Sequence, residues 1–297
     1  MEQVTLALWA TNLGQPLVSL DEWIDQAIHR IEEAAAGGVD LIMLPEWVAA
    51  HFLAFAPPGL EPGGEVAFMA AQAPKALAAL ADAVWSTGIT LLAGSMPAAQ
   101  ANGFVNRAHL ITPGATYTQD KLCLTPWEQR ADGWLVRPGD ALKIIPWRGL
   151  RLAIAVCLDV EQPALAARLQ QAKPDLLLVP SMTDLASGYT RVFACARARA
   201  IELMCPVAVV GTVGVQRING LSEPNTSGAA VYVPAEPELG STGIFAEHPM
   251  TTECVGLGPL LIARGVPVGQ CRRLRGAGAG AEAWPGPWSA DHVRIEE

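Results

Sequence analysis

The sequence predicts an α/β fold, because a strand–helix–strand pattern occurs twice along the chain. Each occurrence consists of an apolar run, a helical segment and a second apolar run. In chain order the six segments are residues 4–10, 19–36 and 40–46, and then 150–157, 163–172 and 175–181. Strands that are apolar along their whole length are typical of sheets covered on both faces. Two such units therefore predict mixed or parallel sheets flanked by helices.

The helix at 19–36 has a defined start and a defined end. Ser19 is a suitable N-cap, and Glu22 three residues later completes the pattern of a capping box. Apolar residues recur through the segment at the spacing of one helical face, and Gly37 and Gly38 follow it. The next segment, DLIMLPE, is instead a continuous apolar run and predicts a buried strand.

Further elements are predicted between and after the two units. They are a helix at 66–87, strands at 89–95, 104–112 and 115–119, a helix at 189–204, and strands at 206–213, 229–233 and 253–263. The tail from Gly276 is rich in glycine and proline and carries Trp284 and Trp288, so it is not expected in the core. We expect one domain at 1–275 and a C-terminal tail at 276–297.

Composition excludes several classes of protein. Of the 297 residues, 51% are hydrophobic and 16% charged, and the mean hydropathy is +0.27, which predicts a globular chain with a large core. A net charge of −9 and a pI near 5.1 oppose a nucleic-acid partner. No apolar run approaches the roughly 18 residues of a membrane span, and the first ten residues lack a basic signal region. We expect no membrane association and a cytoplasmic location.

No sequence motif predicts a metal or a cofactor. The six cysteines include no C-x-x-C pair, which argues against a zinc site, a redox dithiol and a disulfide framework. Residues 276–281 fit the dinucleotide pattern G-x-G-x-x-A, but the chain ends 16 residues later. The β-α-β unit that this motif requires has about 30 residues. Neither a P-loop nor H-E-x-x-H is present.

Three residues capable of chemistry lie at or just after the ends of predicted strands: Glu46, Cys157 and Ser181. Ligands of such sheets bind at the carboxyl ends of strands. A thiol in the turn after a strand faces a cleft, where free backbone N–H groups lower its pKa and bind an oxyanion. The alternative is that Cys157 is simply the last buried residue of its strand.

Two carboxylates and one lysine complete the candidate set. A carboxylate that is desolvated after a buried strand, as expected for Glu46, has a raised pKa and serves as a general base. Lys121 and Glu128 lie seven residues apart in KLCLTPWE, and a buried ammonium there would face a developing oxyanion. The alternatives are a solvated loop glutamate and a surface ion pair.

In this order, and with their neighbours, the four residues resemble the nitrilase superfamily of carbon–nitrogen hydrolases over about residues 4–263. The segments that carry the resemblance are LIMLPEW around Glu46, KLCLTPWE with Lys121 and Glu128, IAVCLD around Cys157, DLLLVPS ending at Ser181, and ARARAIE at 196–202. The resemblance implies an α-β-β-α sandwich of two stacked mixed sheets flanked by helices. It also implies assembly into a homodimer or higher homo-oligomer.

The resemblance further implies a reaction and a role for each residue. Cys157 attacks the carbon of a small amide, N-carbamoyl compound or nitrile, Glu46 is general base and acid, and Lys121 stabilises the tetrahedral intermediate. Glu128 supports the arrangement of protons and charges. A thioester forms as ammonia or an amine leaves, and water then hydrolyses it without a metal or cofactor.

Features that distinguish the branches of the superfamily point in two directions. Cys157-Leu158-Asp159 favours the amide and carbamoyl branches, because nitrilases usually have Cys-Trp-Glu at this point. The seven-residue step from Lys121 to Glu128 is instead similar to nitrilases. The branch therefore stays open.

Four residues are predicted to contact the substrate: Trp127, Leu158, Ser181 and Met182. Ser181 is equally suited to capping a helix, and apolar residues near a cleft often serve only in packing. A histidine-assisted cysteine enzyme fits less well, because none of the five histidines lies at a strand end opposite Cys157. The alternative from another class is a catalytically silent binding or regulatory protein with the same cleft.

Overall fold

A computed structural model describes residues 1–218, 221–276, 280–282, 284–286 and 288–295 of the protein. Within this part of the chain the helices are α1 (Leu20–Ala36), α2 (Pro62–Thr87), α3 (Pro126–Gln129), α4 (Pro163–Ala172), α5 (Ala186–Leu203) and α6 (Val268–Leu274). Short 3₁₀ helices span Val48–Phe55, Cys157–Glu161 and Pro237–Leu239.

The strands form two six-stranded sheets and a separate two-stranded hairpin. They are β1 (Val4–Trp9), β2 (Leu41–Met43), β3 (Thr90–Gln100), β4 (Gly103–Thr112), β5 (Ala115–Asp120), β6 (Ile145–Trp147), β7 (Leu150–Ile154), β8 (Leu176–Ser181), β9 (Val207–Gly211), β10 (Gly214–Ile218), β11 (Leu221–Asn225), β12 (Ser227–Tyr232), β13 (Ile244–Thr251) and β14 (Leu260–Val266).

Both large sheets have the same topology. The first has the strand order β14-β1-β2-β3-β4-β5, and the second has the order β6-β7-β8-β9-β12-β13. The central three strands of each sheet, β1 to β3 and β7 to β9, are parallel, and the flanking strands are antiparallel. The repeated strand–helix–strand unit predicted from the sequence thus forms the centre of each sheet.

Alternate residues of β1 show how the layers stack. Leu6 and Leu8 belong to a core shared with residues of β7, β8 and β9, so this face of the first sheet packs on the second sheet. Ala7 and Trp9 belong to another core, which they share with residues of α1 and α2. The second sheet contacts α5 through β9 and β12. Since side chains alternate between the faces of a strand, each sheet lies between the other sheet and a helix layer. The predicted α-β-β-α sandwich is confirmed.

Two predicted strands end or begin elsewhere. The strand predicted at 150–157 ends at Ile154, because Cys157 has a φ of +50° and begins a 3₁₀ helix. The strand predicted at 253–263 is wrong over its first part. Gly256 and Gly258 have positive φ there and form a turn between β13 and β14.

The division into a domain at 1–275 and a tail at 276–297 stays a prediction. Trp284 donates its Nε1 hydrogen to the carbonyl of Arg275 over 3.1 Å, whereas Trp288 is 60% exposed. Part of the predicted tail, at 277–279, 283, 287 and 296–297, lies outside the described residues. Among the helices that the structure describes, none is long and apolar enough to cross a membrane.

Gly94 allows β3 to approach the segment that leads into Glu46. Its φ is +66°, and a Cβ at this position would lie 2.0 Å from the carbonyl oxygen of Pro45. We expect Gly94→Ala to lower the free energy of unfolding by about 3 kcal/mol, because a backbone clash adds to the strain of a positive φ. Gly88→Ala is the matched control, since Gly88 has a φ of +73° and open space around it. Chemical denaturation of both variants measures the difference, and equal losses would contradict the clash.

Candidate active site

The four predicted catalytic residues come together although they belong to different elements. Glu46 follows β2, Lys121 follows β5, Glu128 lies in α3, and Cys157 begins the 3₁₀ helix after β7. All four are buried, with at most 5% of any of them exposed. Both sheets therefore contribute to one site, at the ends of their strands.

Lys121 lies between the two glutamates. Its Nζ is 2.7 Å from Oε1 of Glu46 and 2.6 Å from Oε2 of Glu128. Burial by itself lowers the pKa of Lys121. The two neighbouring carboxylates raise it by more than burial lowers it, so the pKa of Lys121 is above its ordinary value. The ammonium is thus permanently charged, and a buried charge of this kind is stable only with such partners.

Glu128 is held as a carboxylate by its own helix start. Thr125 is the N-cap of α3, with Pro126 as the first helical residue, and the Glu128 side chain reaches back to the Thr125 backbone N–H to complete a capping box. Trp47 donates its Nε1 hydrogen to Oε1 of Glu128 over 2.9 Å. Burial raises the pKa of Glu128, but Lys121 and these donors lower it below its usual value. Glu128 is therefore suited to fixing Lys121 and not to carrying a proton.

Glu46 has the opposite electrostatic character. Burial, partly offset by Lys121, raises the pKa of Glu46 to about 7, and the charge of Glu128 contributes to the increase. Its Oε2 accepts a hydrogen bond from the backbone N–H of Met182 over 2.9 Å. Two carboxyl groups on one lysine, with pKa values moved in opposite directions, have separate tasks in acid–base chemistry. Glu46 is therefore the carboxyl group suited to exchanging a proton near neutral pH.

The Cys157 thiol lies beside this charged group. Its backbone has a φ of +50°, and its Sγ contacts the carbonyl oxygen of Met182 at 3.7 Å. Burial and the charge of Glu46 raise the pKa of Cys157 well above its ordinary value, although Lys121 opposes them. The expectation of a lowered thiol pKa is therefore wrong for the resting site. Because the thiol is neutral, it needs a base at the moment of attack.

Asn106 is a part of the site that sequence reasoning missed. It lies within β4, is fully buried, and donates hydrogen bonds from Nδ2 to Oε1 of Glu46 over 2.9 Å and to Oε1 of Glu128 over 3.1 Å. Its backbone carbonyl accepts from the N–H of Lys121 over 2.9 Å. One side chain thus helps to hold two carboxylates close together. A polar residue inside the predicted strand at 104–112 was the available signal.

Asp159 connects the nucleophile turn to the lysine segment. Its buried carboxylate accepts hydrogen bonds from the backbone N–H groups of Val156 at 3.0 Å, Leu122 at 3.1 Å and Cys123 at 2.6 Å. Burial raises the pKa of Asp159 to about 6, although these donors lower it. Lys121 directly precedes Leu122 and Cys123, and Val156 directly precedes Cys157. By binding these neighbours, Asp159 links the position of the Lys121 ammonium to that of the Cys157 thiol.

A cavity of about 700 Å³ opens onto the charged residues. Its lining includes Glu46, Lys121, Glu128 and Met182, and the Cys157 thiol contacts the carbonyl of Met182. Cys157 itself is not among the described residues that line the cavity. The other lining residues are Trp47, Ala50, Leu60, Pro62, Glu65, Thr125, Pro126, Trp127, Trp134, Asp184, Gln216, Glu223, Pro224 and Asn225.

The β10–β11 hairpin, which was not predicted, supplies four of these lining residues: Gln216, Glu223, Pro224 and Asn225. An Asn-Gly pair at 219–220, a strong hairpin signal, was the sequence feature that pointed to it.

The predicted substrate contacts divide into two pairs. Trp127 and Met182 line the cavity. Leu158 and Ser181 are not among the described residues that line it. Ser181 is fully buried, and its Oγ donates to the carbonyl of Val210 over 3.2 Å. Its backbone carbonyl accepts from the backbone N–H of Glu46 over 3.3 Å. Its placement favours a structural role, which joins the second sheet to the Glu46 segment. Within the described part of the chain, no group of histidine, cysteine and acidic residues is arranged to hold a metal ion.

Known proteins share both the sequence pattern and the fold. The profile of the family described as Carbon-nitrogen hydrolase matches residues 10–228. The probable hydrolase YhcX of Bacillus subtilis is 24% identical over 246 residues, which are 82% of this chain and 47% of that protein. Omega-amidase YafV of Escherichia coli is 32% identical over 162 residues, which are 54% of this chain and 57% of that protein. The chain spans about half the length of the curated relatives it matches.

Solved structures of amidases have the same fold. The crystal structure of an amidase from Nesterenkonia sp. has a TM-score of 0.67 at 22% identity, and the alignment covers 91% of this chain and 93% of that one. A mutant of the Nesterenkonia amidase that carries acrylamide added at its active-site cysteine has a TM-score of 0.64 at 23% identity, covering 88% and 92% of the two chains. The arrangement of both sheets is thus common to these proteins.

Proposed function

The chain belongs to the carbon–nitrogen hydrolase family, and from this premise we propose that it hydrolyses a small amide through a covalent thioester on Cys157. The observation that supports the proposal most directly is the ion pair of Lys121 with two glutamates, beside a buried thiol on a strained turn. A thiol, a base with a pKa of about 7 and a fixed ammonium are the three groups that acyl transfer requires.

In the first half of the reaction, Cys157 Sγ forms a bond to the amide carbon. Its proton passes to Glu46, and the carbonyl oxygen becomes an oxyanion. Lys121 stabilises that charge, together with the backbone N–H of Leu158, which follows the first residue of a 3₁₀ helix and so has no partner within that helix. Glu46 then gives the proton to the nitrogen, the C–N bond breaks, and ammonia or an amine leaves.

In the second half, water replaces the nitrogen leaving group. The water oxygen attacks the thioester carbon while Glu46 accepts a proton from the water, and Lys121 again faces the oxyanion. The C–S bond breaks, Cys157 recovers its proton, and a carboxylic acid leaves. Glu128 keeps its negative charge throughout, because Lys121 and the Thr125 N-cap hold it ionised. Each group thus returns to its starting state.

We favour amides as the substrate class because several of the similar proteins are amidases. An N-carbamoyl compound presents the same carbonyl and nitrogen to Cys157. A nitrile presents a carbon that the same thiol attacks, but it needs two additions of water to reach the acid. All three substrates follow from one nucleophile, and turnover measurements distinguish them.

The proposal is tested by ammonia release from butyramide, N-carbamoyl-β-alanine and butyronitrile, with and without hydroxylamine. We expect ammonia from butyramide and, with hydroxylamine present, the corresponding hydroxamate, because hydroxylamine intercepts a thioester. Cys157→Ser serves as the inactive control. Release of ammonia from the nitrile alone would place the chain among nitrilases. The catalytically silent binding protein would be favoured if no substrate released ammonia and a thiol-specific alkylating reagent did not label Cys157.

Assembly and location are part of the same proposal. We expect a homodimer or higher homo-oligomer in the cytoplasm, without a nucleic-acid or membrane partner. Light scattering at micromolar concentration measures the oligomeric state, and a monomer would contradict the expected assembly.

A further inference from the structure

The cavity that opens onto Glu46, Lys121 and Glu128 is lined by more acid than the reaction uses. Besides Glu46 and Glu128, its lining contains Glu65, Asp184 and Glu223. Asp184 and Glu223 are exposed, and Glu65 is half-buried. Among the described lining residues, Lys121 is the single cation. Three carboxylates thus line the cavity without taking part in the proposed proton transfers.

Lys121 does not offset this charge for an incoming ligand. Its Nζ is already within 2.7 Å of Glu46 and 2.6 Å of Glu128, and only 1% of its side chain is exposed. A carboxylate on the substrate would therefore find no available cation among the described lining residues. It would also be repelled by each acidic group in the cavity, where low-dielectric walls strengthen the field.

Aromatic side chains line the same cavity. Trp47 and Trp134 pack with their ring centroids 4.4 Å apart, and Trp127 is 42% exposed. Trp134 also donates its Nε1 hydrogen to Oε2 of Glu65 over 3.0 Å, which fixes that carboxylate against the aromatic wall. Carboxylates combined with indole faces attract ammonium groups, through charge and through cation–π interaction. Both features favour the same chemistry in a ligand.

We propose that this site selects small amides whose acyl part carries an amino group, and discriminates against those that carry a free carboxylate. The inference rests on the proposed function. It assigns to Glu65, Asp184 and Glu223 the role of selecting substrate charge, separate from the chemistry at Cys157. We expect neutral amides to have an intermediate kcat/KM, because the negative charge of the cavity neither attracts nor repels them.

The first test compares kcat/KM for three amides of equal chain length: 4-aminobutyramide, butyramide and succinamate. Using butyramide as the reference cancels any change common to all three. We expect the amino amide to exceed succinamate by at least about tenfold at low salt, since several like charges act together, and added salt to reduce the ratio. The double variant Asp184→Asn/Glu223→Gln should lower the ratio about threefold for each charge removed.

The second test does not depend on turnover. Cys157 is the single cysteine of the tryptic peptide 152–168, so its modification is followed there by mass spectrometry. Its labelling rates with 2-aminoethyl and 2-sulfonatoethyl methanethiosulfonate are each divided by the rate with free 2-mercaptoethanol. We expect the cationic reagent to react faster, and the advantage to shrink in the double variant. Glu32→Gln/Asp82→Asn is the matched control, because it removes two exposed charges that do not line the cavity.

The outcomes separate the two proposals. Hydrolysis of butyramide with equal rates for both charged amides, or with a ratio that changes alike in the two double variants, overturns the charge selection and leaves the proposed function standing. No hydrolysis of any amide overturns the proposed function. The labelling ratio then decides the charge preference of the cavity by itself, and equal corrected rates for both reagents overturn it.

Discussion

Replacing Cys157 by Ser is expected to lower kcat on the order of 10⁴-fold or more while the protein stays folded. The replacement preserves the shape of a side chain in contact with the carbonyl of Met182. A hydroxyl is far harder to ionise than a thiol, and Glu46, with a pKa of about 7, is too weak a base to remove its proton. The measurement is single-turnover ammonia release from butyramide, with thermal denaturation to establish folding.

Cys195→Ser is the matched control for this experiment. Cys195 lies on α5, is partly exposed and does not line the cavity. We expect its replacement to leave kcat within about twofold of the wild type, because Cys195 lies outside both the cavity and the four proposed catalytic residues. Substantial activity in Cys157→Ser, together with a loss of activity in Cys195→Ser, would show that Cys157 is not the nucleophile.

Glu46→Gln is expected to lower kcat/KM about 10²- to 10⁴-fold and to remove the acid limb of the pH–rate profile. The pKa of Glu46 is raised to about 7, so in the wild type its carboxyl group is protonated below that pH and accepts no proton from Cys157. Activity should therefore rise as the pH increases through about 7 and then level off. Glutamine has no such titration, so the residual rate of the variant should not show this rise.

The same substitution has a measurable structural cost. Oε1 of Glu46 accepts from Lys121 and Asn106, and Oε2 accepts from the N–H of Met182. An amide NH₂ in either place faces a donor, and we expect a loss of about 1 to 3 kcal/mol in the free energy of unfolding. Denaturation midpoints separate this loss from the catalytic effect, with Glu32→Gln as the surface control. A wild-type rate and an unchanged acid limb would place the general base elsewhere.

Local patterns in the sequence were sufficient for much of this architecture. Continuous apolar runs at 40–46 and 175–181 predicted buried strands, and α4 begins and ends at the predicted residues, Pro163 and Ala172. These features depend on periodicity and capping, which act over a few neighbouring residues. The order of Glu46, Lys121, Glu128 and Cys157 likewise indicated one site, because their surrounding segments resemble a known superfamily.

Only the tertiary structure decided how these residues influence one another. In the sequence Asn106 had no predicted role and Asp159 was only a feature of the superfamily branch. Their positioning roles follow from hydrogen bonds between segments 22 to 60 positions apart. The pKa values of Glu46 and Cys157 depend on how far water is excluded and on which charges face them. Burial and Coulomb interaction act through space, between residues that the chain keeps far apart until both sheets have packed. The charge of the cavity is set in the same way, since Glu65, Asp184 and Glu223 meet only in the folded protein.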